Sequence, residues 1–441
     1  MVLEIGTCWC VRPWHPVFVD ILSDLEARGL IQDTTDREAL AARLAEGPMT
    51  LYCGFDPTSD SLHVGNLMPL LTLRRFQLAG HRPIALAGGA TGMVGDPSGK
   101  SAERNLLDDE GLAHNLQGIV PQLRRFLDFD DGETQARLLD NRAWTVGTSV
   151  LDFLRDIGKH VTVNQMVARE TVKNRMNSGD GISYTEFSYM LLQGYDYWWL
   201  FENEGCELQI GGSDQWGNIV LGVDLIRRKA SASAHALTVP LLLKEDGTKY
   251  GKTASGDTMW LDAEKMSPYR LFQALMQTED SELEKLLLQL TFLEVERIDE
   301  IVAEHELDPG ARQGQRALAH ELCALIHGSD AADGAGEATD LLFGGNADPM
   351  AASETALRFL MREIPHSTLP VERELIDVLV STELASSRGD AKRALAEGSV
   401  YVNGERAGDD RPGIAEGDLL HGRWVLLRRG KKRWHLALDA Y

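Results

Sequence analysis

TLYCGFDPTSDSLHVGNLMPLLTLRRFQLAGHRPIALAGGATGMVGDPSGK, residues 50–100, is the stretch whose reading decides the fold class. Thr50–Phe55 is an apolar run closed by turn residues at Asp56-Pro57-Thr58-Ser59-Asp60, which reads as a strand. A helix follows through Leu67, Leu70 and Leu71 to Gln77 and is closed by Gly80. Pro83–Ala87 is a second strand, running into the glycine-rich GGATGMVGDPSGK of 88–100. Strand, loop, helix, strand, loop is the rhythm of an α/β, Rossmann-like doubly wound parallel sheet. Such sheets bind ligands beyond the carboxyl ends of their strands, so the loops after Phe55 and Ala87 are where function is sought.

Outward from this stretch, Leu208–Ile210 reads as a later strand leading to GGSDQWG (211–217). Leu237–Leu243 reads as another, leading to a loop with Lys249 and Lys252. Val17–Leu30 has helical apolar spacing ending at Gly29, and residues 1–16 have none, so they are taken as a loose extension. From Pro268 to about Leu342 the spacing is helical throughout, and a linker is expected over 343–370, where Gly, Asn, Asp, Pro and Ser mix.

The chain has 441 residues and a formal net charge of −23. That length allows several domains, and an ordinary 43% hydrophobic content argues against wholesale disorder. No apolar run approaches the roughly 18 residues a membrane span needs, and no secretory start is visible, so a cytoplasmic protein without membrane attachment is expected. Five scattered cysteines with no CxxC pair suit free thiols in a reducing compartment and no metal site. From Val371 to Tyr441 there are 12 acidic and 12 basic residues, so the preceding part carries the whole deficit. Six of those basic residues lie in RWVLLRRGKKR, 423–433, a local footprint for a polyanion within an acidic protein.

Four segments carry candidate chemistry. His63-Val64-Gly65-Asn66 opens the Leu67 helix, where free backbone N–H groups favour a phosphate; alone it could be a helix cap with a surface histidine. Lys249-Tyr250-Gly251-Lys252-Thr253 offers two cations three residues apart, suited to a triphosphate or, equally, to a solvated turn. The glycines of 88–95, with Asp96 and Lys100, suggest backbone packed against ligand but lack dinucleotide spacing. Tyr189, Gln193 and Asp196 fall on one helix face, an odd set for a core, whereas Tyr195, Tyr197, Trp198 and Trp199 read as the buried aromatic side.

YCGFDPT (52–58), LHVGNL (62–67), GGATGMVGDPSGK (88–100), YTEFSYMLLQGYD (184–196), QIGGSDQWGN (209–218) and KYGKT (249–253), in this order, resemble the bacterial tyrosyl-tRNA synthetases among the class I aminoacyl-tRNA synthetases. The resemblance runs from about Val17 to the C-terminus. It implies that tyrosine and ATP give tyrosyl-adenylate and pyrophosphate, and that the tyrosyl group then passes to the 3′ end of tRNA(Tyr). Mg2+ would accompany ATP, and the enzyme would be a homodimer. By resemblance, His63 and Asn66 stand for the HIGH signature, with asparagine in place of its second histidine. Lys249, Lys252 and Thr253 stand for KMSKS, with Tyr-Gly in its middle. Tyr52 and Asp196 would meet the phenol. Tyr189, Gln193 and Asp96 would hold the ammonium, with Gln215 near the carboxylate. Cys53, Gly54, Asp56, Gly65, Gly212 and Asp214 would line ribose and adenylate, with Lys100 near pyrophosphate.

The resemblance also implies a catalytic domain over 17–261 with a dimer-forming insertion at about 126–185, and an α-helical anticodon-recognition domain over 262–342. A small α+β S4-like RNA-binding domain would occupy 371–441, presenting Arg388, Lys392, Arg393, Arg428, Arg429, Lys431 and Lys432. The rivals are a tryptophanyl-tRNA synthetase, a non-catalytic RNA-binding protein and a small-molecule nucleotidyltransferase.

Overall fold

The computed structural model describes residues 20–96, 98, 107–177, 181–244, 247–248, 250–253, 256–344 and 347–439. Residues 1–16, Lys100 and Lys249 lie outside them. The chain divides into two compact units: the chain up to Lys265 together with Glu279–Ala303, and Met266–Thr278 together with Glu304 onward.

The first unit is built on six strands: β1 (Asp33–Thr34), β2 (Thr50–Phe55), β3 (Arg82–Ala87), β4 (Arg137–Asp140), β5 (Cys206–Gly212) and β6 (His235–Val239). Their order is β1-β6-β5-β2-β3-β4, parallel except for β1 on the edge. The chain leaves β2 toward β3 and β4 on one side and returns to β5 and β6 on the other. A crevice therefore opens at the carboxyl ends of β2 and β5. Leu51, Tyr52 and Cys53 of β2 are all buried, as a strand covered on both faces must be. Helix Leu67–Leu78 buries Leu67, Leu70, Leu71 and Phe76.

Three sequence expectations change. The last strand begins at His235 and ends at Val239, because Pro240 has no N–H to continue the ladder. The helical stretch after Pro268 is not one body: residues 279–303 belong to the first unit. Buried Arg28 explains it, donating to Leu293 O at 2.8 Å and Leu288 O at 3.4 Å, while buried Arg75 donates to Thr291 O. The expected linker contains helix Glu354–Glu363 and strand β7 (His366–Thr368).

In the second unit, β7, β8 (Val400–Val402), β9 (Glu405–Ala407), β10 (Trp424–Arg429) and β11 (Arg433–Leu438) form a sheet ordered β7-β11-β10-β8-β9. One face packs Val400, Val402, Val425 and Leu427 against helices Leu375–Ser381 and Arg388–Ala396. Asn403 and Gly404, both at positive φ, make the two-residue β8–β9 hairpin turn. Among the described residues no helix is long and apolar enough to cross a membrane.

Candidate active site

A cavity of about 780 Å³ opens at the carboxyl ends of β2, β3, β5 and β6. Of the predicted tyrosine and nucleotide residues within the described chain, all but Thr253 line it. Distant segments thus meet in one cleft.

At one end, Tyr52 of β2 lies beside Gln209 of β5 in register, both buried. Asp196, from helix Tyr184–Glu204, is 3% exposed. Its Oδ1 accepts from Trp144 Nε1 at 2.8 Å and its Oδ2 from Asn141 Nδ2 at 2.9 Å. Burial pushes this carboxyl up to about 7, although the two donors pull the other way. Burial likewise holds the Tyr52 phenol well above its ordinary range. Among the described residues neither Tyr52 Oη nor Gln193 Oε1 has a hydrogen-bond partner, though both are buried. Buried polar atoms without partners beside an ionisable carboxylate mark a pocket shaped for a polar guest.

Asn141 and Trp144 were not foreseen. They follow β4, a strand hidden within the stretch read as an insertion. The available signal was Leu138-Leu139 followed by Asp140-Asn141, an apolar pair running into polar residues at a strand's carboxyl end. Asn141 also accepts from Ala90 N at 2.7 Å, tying the glycine loop to Asp196. Trp144 is held by stacking on Trp199, with centroids 4.1 Å apart.

Next along the cleft, Tyr189 Oη donates to Asp56 Oδ2 at 2.8 Å and Thr91 Oγ1 to Asp56 Oδ1 at 2.7 Å. Asp56, expected against the ribose, is thus engaged with Tyr189. A Cβ on Gly88 would collide with Asp56 Oδ1, which is why that loop needs glycine there. Gln215 Nε2 donates to Asp96 Oδ2 at 2.6 Å. The charges of Asp56, Asp96 and Asp196 all act on the Tyr189 phenol, a negative region that suits a guest carrying a positive charge.

At the other end stands the His63 turn. Asn66 Oδ1 accepts from His63 N–H at 3.0 Å, leaving its amide N–H groups as donors. A Cβ on Gly65 would lie 2.9 Å from the His63 ring, so glycine clears room for the imidazole as well as for a ligand. Lys252 lines the same cleft, as does Lys244, which the sequence reading did not select. Thr253 instead turns inward on its own loop, its Oγ1 accepting from Asp257 N–H at 3.1 Å. Cys53 lines the cleft with its thiol pushed up to about 12 by burial, so it is neutral.

In the second unit the seven predicted RNA-binding residues do not behave alike. Arg429 is bound to Asp390 by two hydrogen bonds of 2.7 and 2.9 Å, and Arg388 pairs with Glu374 and Asp377, so their charges are already met. Lys392, Lys431 and Lys432 are exposed, and Arg393 is exposed 3.8 Å from Asp390. Arg428 lies in cross-strand register between Tyr401 and Trp434, 4.0 Å and 5.1 Å from their ring centroids. Among the described residues its Nε has no hydrogen-bond partner.

Comparison with known proteins shows the family of the chain. Residues 44–344 match the family described as tRNA synthetases class I (W and Y), and residues 357–437 the tyrosine–tRNA ligase SYY-like C-terminal domain. The tyrosine–tRNA ligase of Opitutus terrae is 52% identical over 94% of this chain and 98% of its own length. That of Yersinia pestis is 47% identical over 95% and 98% respectively. A C-terminally truncated mitochondrial tyrosyl-tRNA synthetase of Aspergillus nidulans superposes with a TM-score of 0.67 at 34% identity, covering 74% of this chain and 94% of that one. With a cleft at the sheet's switch point and similarity spanning nearly its whole length, this chain belongs to the tyrosine–tRNA ligases of the class I aminoacyl-tRNA synthetases.

Proposed function

We propose that the cleft activates L-tyrosine with ATP, releasing pyrophosphate, and transfers the tyrosyl group from the adenylate to the 3′-terminal ribose of tRNA(Tyr). The single observation that carries this reading is the Asp196 carboxylate, buried and oriented by Trp144 and Asn141, beside the unpartnered Tyr52 hydroxyl. A phenol fits there, donating to Asp196 while its oxygen accepts from Tyr52. Phenylalanine would leave the buried Tyr52 hydroxyl without a partner and give Asp196 no hydroxyl to accept from, which is how the pocket rejects it.

Tyr189, Gln193 and Asp96 hold the ammonium, with Asp56 steadying Tyr189 and Gln215 near the carboxylate. The tyrosine carboxylate attacks the α-phosphorus; the bond from that phosphorus to the oxygen bridging the α- and β-phosphates breaks, and pyrophosphate departs with the electron pair on that oxygen. Catalysis of this displacement is mainly positioning and charge neutralisation. His63, Asn66, Lys249, Lys252 and Thr253 are assigned to the phosphates, Lys100 to the departing pyrophosphate, and Cys53, Gly54, Gly65, Gly212 and Asp214 to the nucleotide. Mg2+ enters as the counter-ion of ATP. Among the described residues no cluster of three His, Cys, Asp or Glu could hold a metal of its own.

Residues 126–185 supply the homodimer interface in this reading; the support is Val150 and Leu151, 73% and 78% exposed despite being apolar. Of the stretch 262–342 assigned to anticodon recognition, the parts in the second unit, Met266–Thr278 and 304–342, carry that role, and the C-terminal sheet binds tRNA through Arg428 and the lysines beside it. Free buried Cys53, Cys206 and Cys323 suit the cytoplasm. The test is ATP–pyrophosphate exchange with each amino acid in turn. Exchange with tyrosine alone is expected, and exchange with tryptophan instead refutes the pocket assignment.

A further inference from the structure

The backbone carrying His63 and the backbone carrying Lys252 are stitched together. Val64 donates its N–H to Met259 O at 2.9 Å, Leu261 donates to Leu62 O at 2.9 Å, and His63 bridges Trp260. The lysine segment folds back on itself through a Lys252–Thr258 bridge and a bond from Met259 N–H to Gly251 O at 2.8 Å. The distance between the two phosphate-facing elements therefore depends on where residues 258–265 lie along residues 60–64. So short a ladder leaves that register weakly fixed by backbone alone.

Side chains supply what the ladder lacks. Lys265 Nζ is 2.6 Å from Asp60 Oδ1, both side chains about one-third exposed. The same ammonium lies 5.2 Å from the Trp260 ring centroid, and that ring is 6.3 Å from the His63 ring. Asp60 is itself well anchored. Ser59 Oγ donates to its Oδ1 at 3.1 Å, and its carbonyl packs so closely on Gly118 of helix Asp109–Phe126 that a Cβ there would collide. His114 approaches its other oxygen at 3.7 Å. Lys265 holds the Asp60 carboxyl below its ordinary range. Neither Asp60 nor Lys265 lines the cleft.

We propose that Asp60 and Lys265 are positioning residues for the ATP step: a latch at the root of the lysine segment that holds Lys252 in register with His63. The inference rests on the reading that ATP phosphates lie between those two. An ion pair this exposed adds little to global stability, so its effect is read in kinetics. Misplacing a charge-bearing loop by a fraction of a bond length raises the barrier for a reaction that depends on positioning.

The test is ATP–pyrophosphate exchange by the full chain carrying Lys265→Gln, Lys265→Arg, Asp60→Asn, or Asp60→Asn with Lys265→Gln. The glutamine variant should lose about fivefold in kcat/KM for ATP, the scale of one surface ion pair, while KM for tyrosine stays unchanged. The arginine variant should recover most of the loss, since it keeps the cation and stacks on Trp260. The double variant should be no worse than either single one, as members of one pair behave. Equal losses toward ATP and tyrosine, additive losses, or unchanged ATP constants each overturn the latch. Should Asp60→Asn fail to fold, the glutamine and arginine variants decide between them. Failure of the unaltered chain to exchange pyrophosphate with tyrosine refutes the functional reading instead.

Discussion

Replacing Asp196 with asparagine separates what the carboxylate does for tyrosine from what it costs the fold. The buried carboxyl ionises at about 7 in the native chain, against an ordinary value of 3.8. Between those values the native state keeps a proton that the unfolded chain has released. Stability contributed at this site therefore falls as pH rises from about 4 to 7, by about 4 kcal/mol, and is level above. Asp196→Asn has no charge to bury, but its amide nitrogen must face one of two donors, Trp144 Nε1 or Asn141 Nδ2. Losing that hydrogen bond costs about 1–3 kcal/mol. At pH 8 the variant should therefore be more stable than the unaltered enzyme by roughly 1–3 kcal/mol, an advantage that vanishes at pH 5. Tyrosine activation should be lost at both. Urea denaturation followed by tryptophan fluorescence at pH 5 and pH 8, beside pyrophosphate exchange, measures both. A variant that gains no stability relative to the parent between pH 5 and pH 8 would refute the burial argument.

Trp144→Phe removes one of the two donors that keep Asp196 ionised, so tyrosine should bind roughly tenfold or more weakly, and the pH at which affinity is lost should move up; titration of tyrosine at several pH values checks it. Gly88→Ala drives a Cβ into Asp56 and should release Tyr189, raising KM for tyrosine with less effect on KM for ATP in steady-state exchange assays. Arg428→Ala should weaken tRNA binding and lower the salt dependence by about one counter-ion while leaving pyrophosphate exchange intact; filter binding across a salt series reports it.

The fold was legible where apolar runs meet turn residues. Thr50–Phe55 and the helix from Leu67 could be read because each obeys one periodicity and is punctuated at its ends. Strand β4 could not: its four residues are half-buried at the edge of the parallel sheet, and so short a run has no periodicity to detect. With it went Asn141 and Trp144, the residues that orient Asp196. Spacing on one helix did reveal Tyr189, Gln193 and Asp196, because side chains four and three apart share a face. What spacing could not reveal is which charges are already neutralised. Arg429 and Arg428 are neighbours in sequence, yet one is held by Asp390 and the other lies between two rings, a difference set by strand alternation and by a helix 39 residues away.

The most direct measurement is a crystal structure of the enzyme with a non-hydrolysable tyrosyl-adenylate analogue. Its phenol oxygen should lie within hydrogen-bond distance of both Tyr52 Oη and Asp196, with the phosphate mimic facing His63 and Lys252. A phenol ring seated at the His63 end, or an analogue bound outside this cleft, contradicts the account.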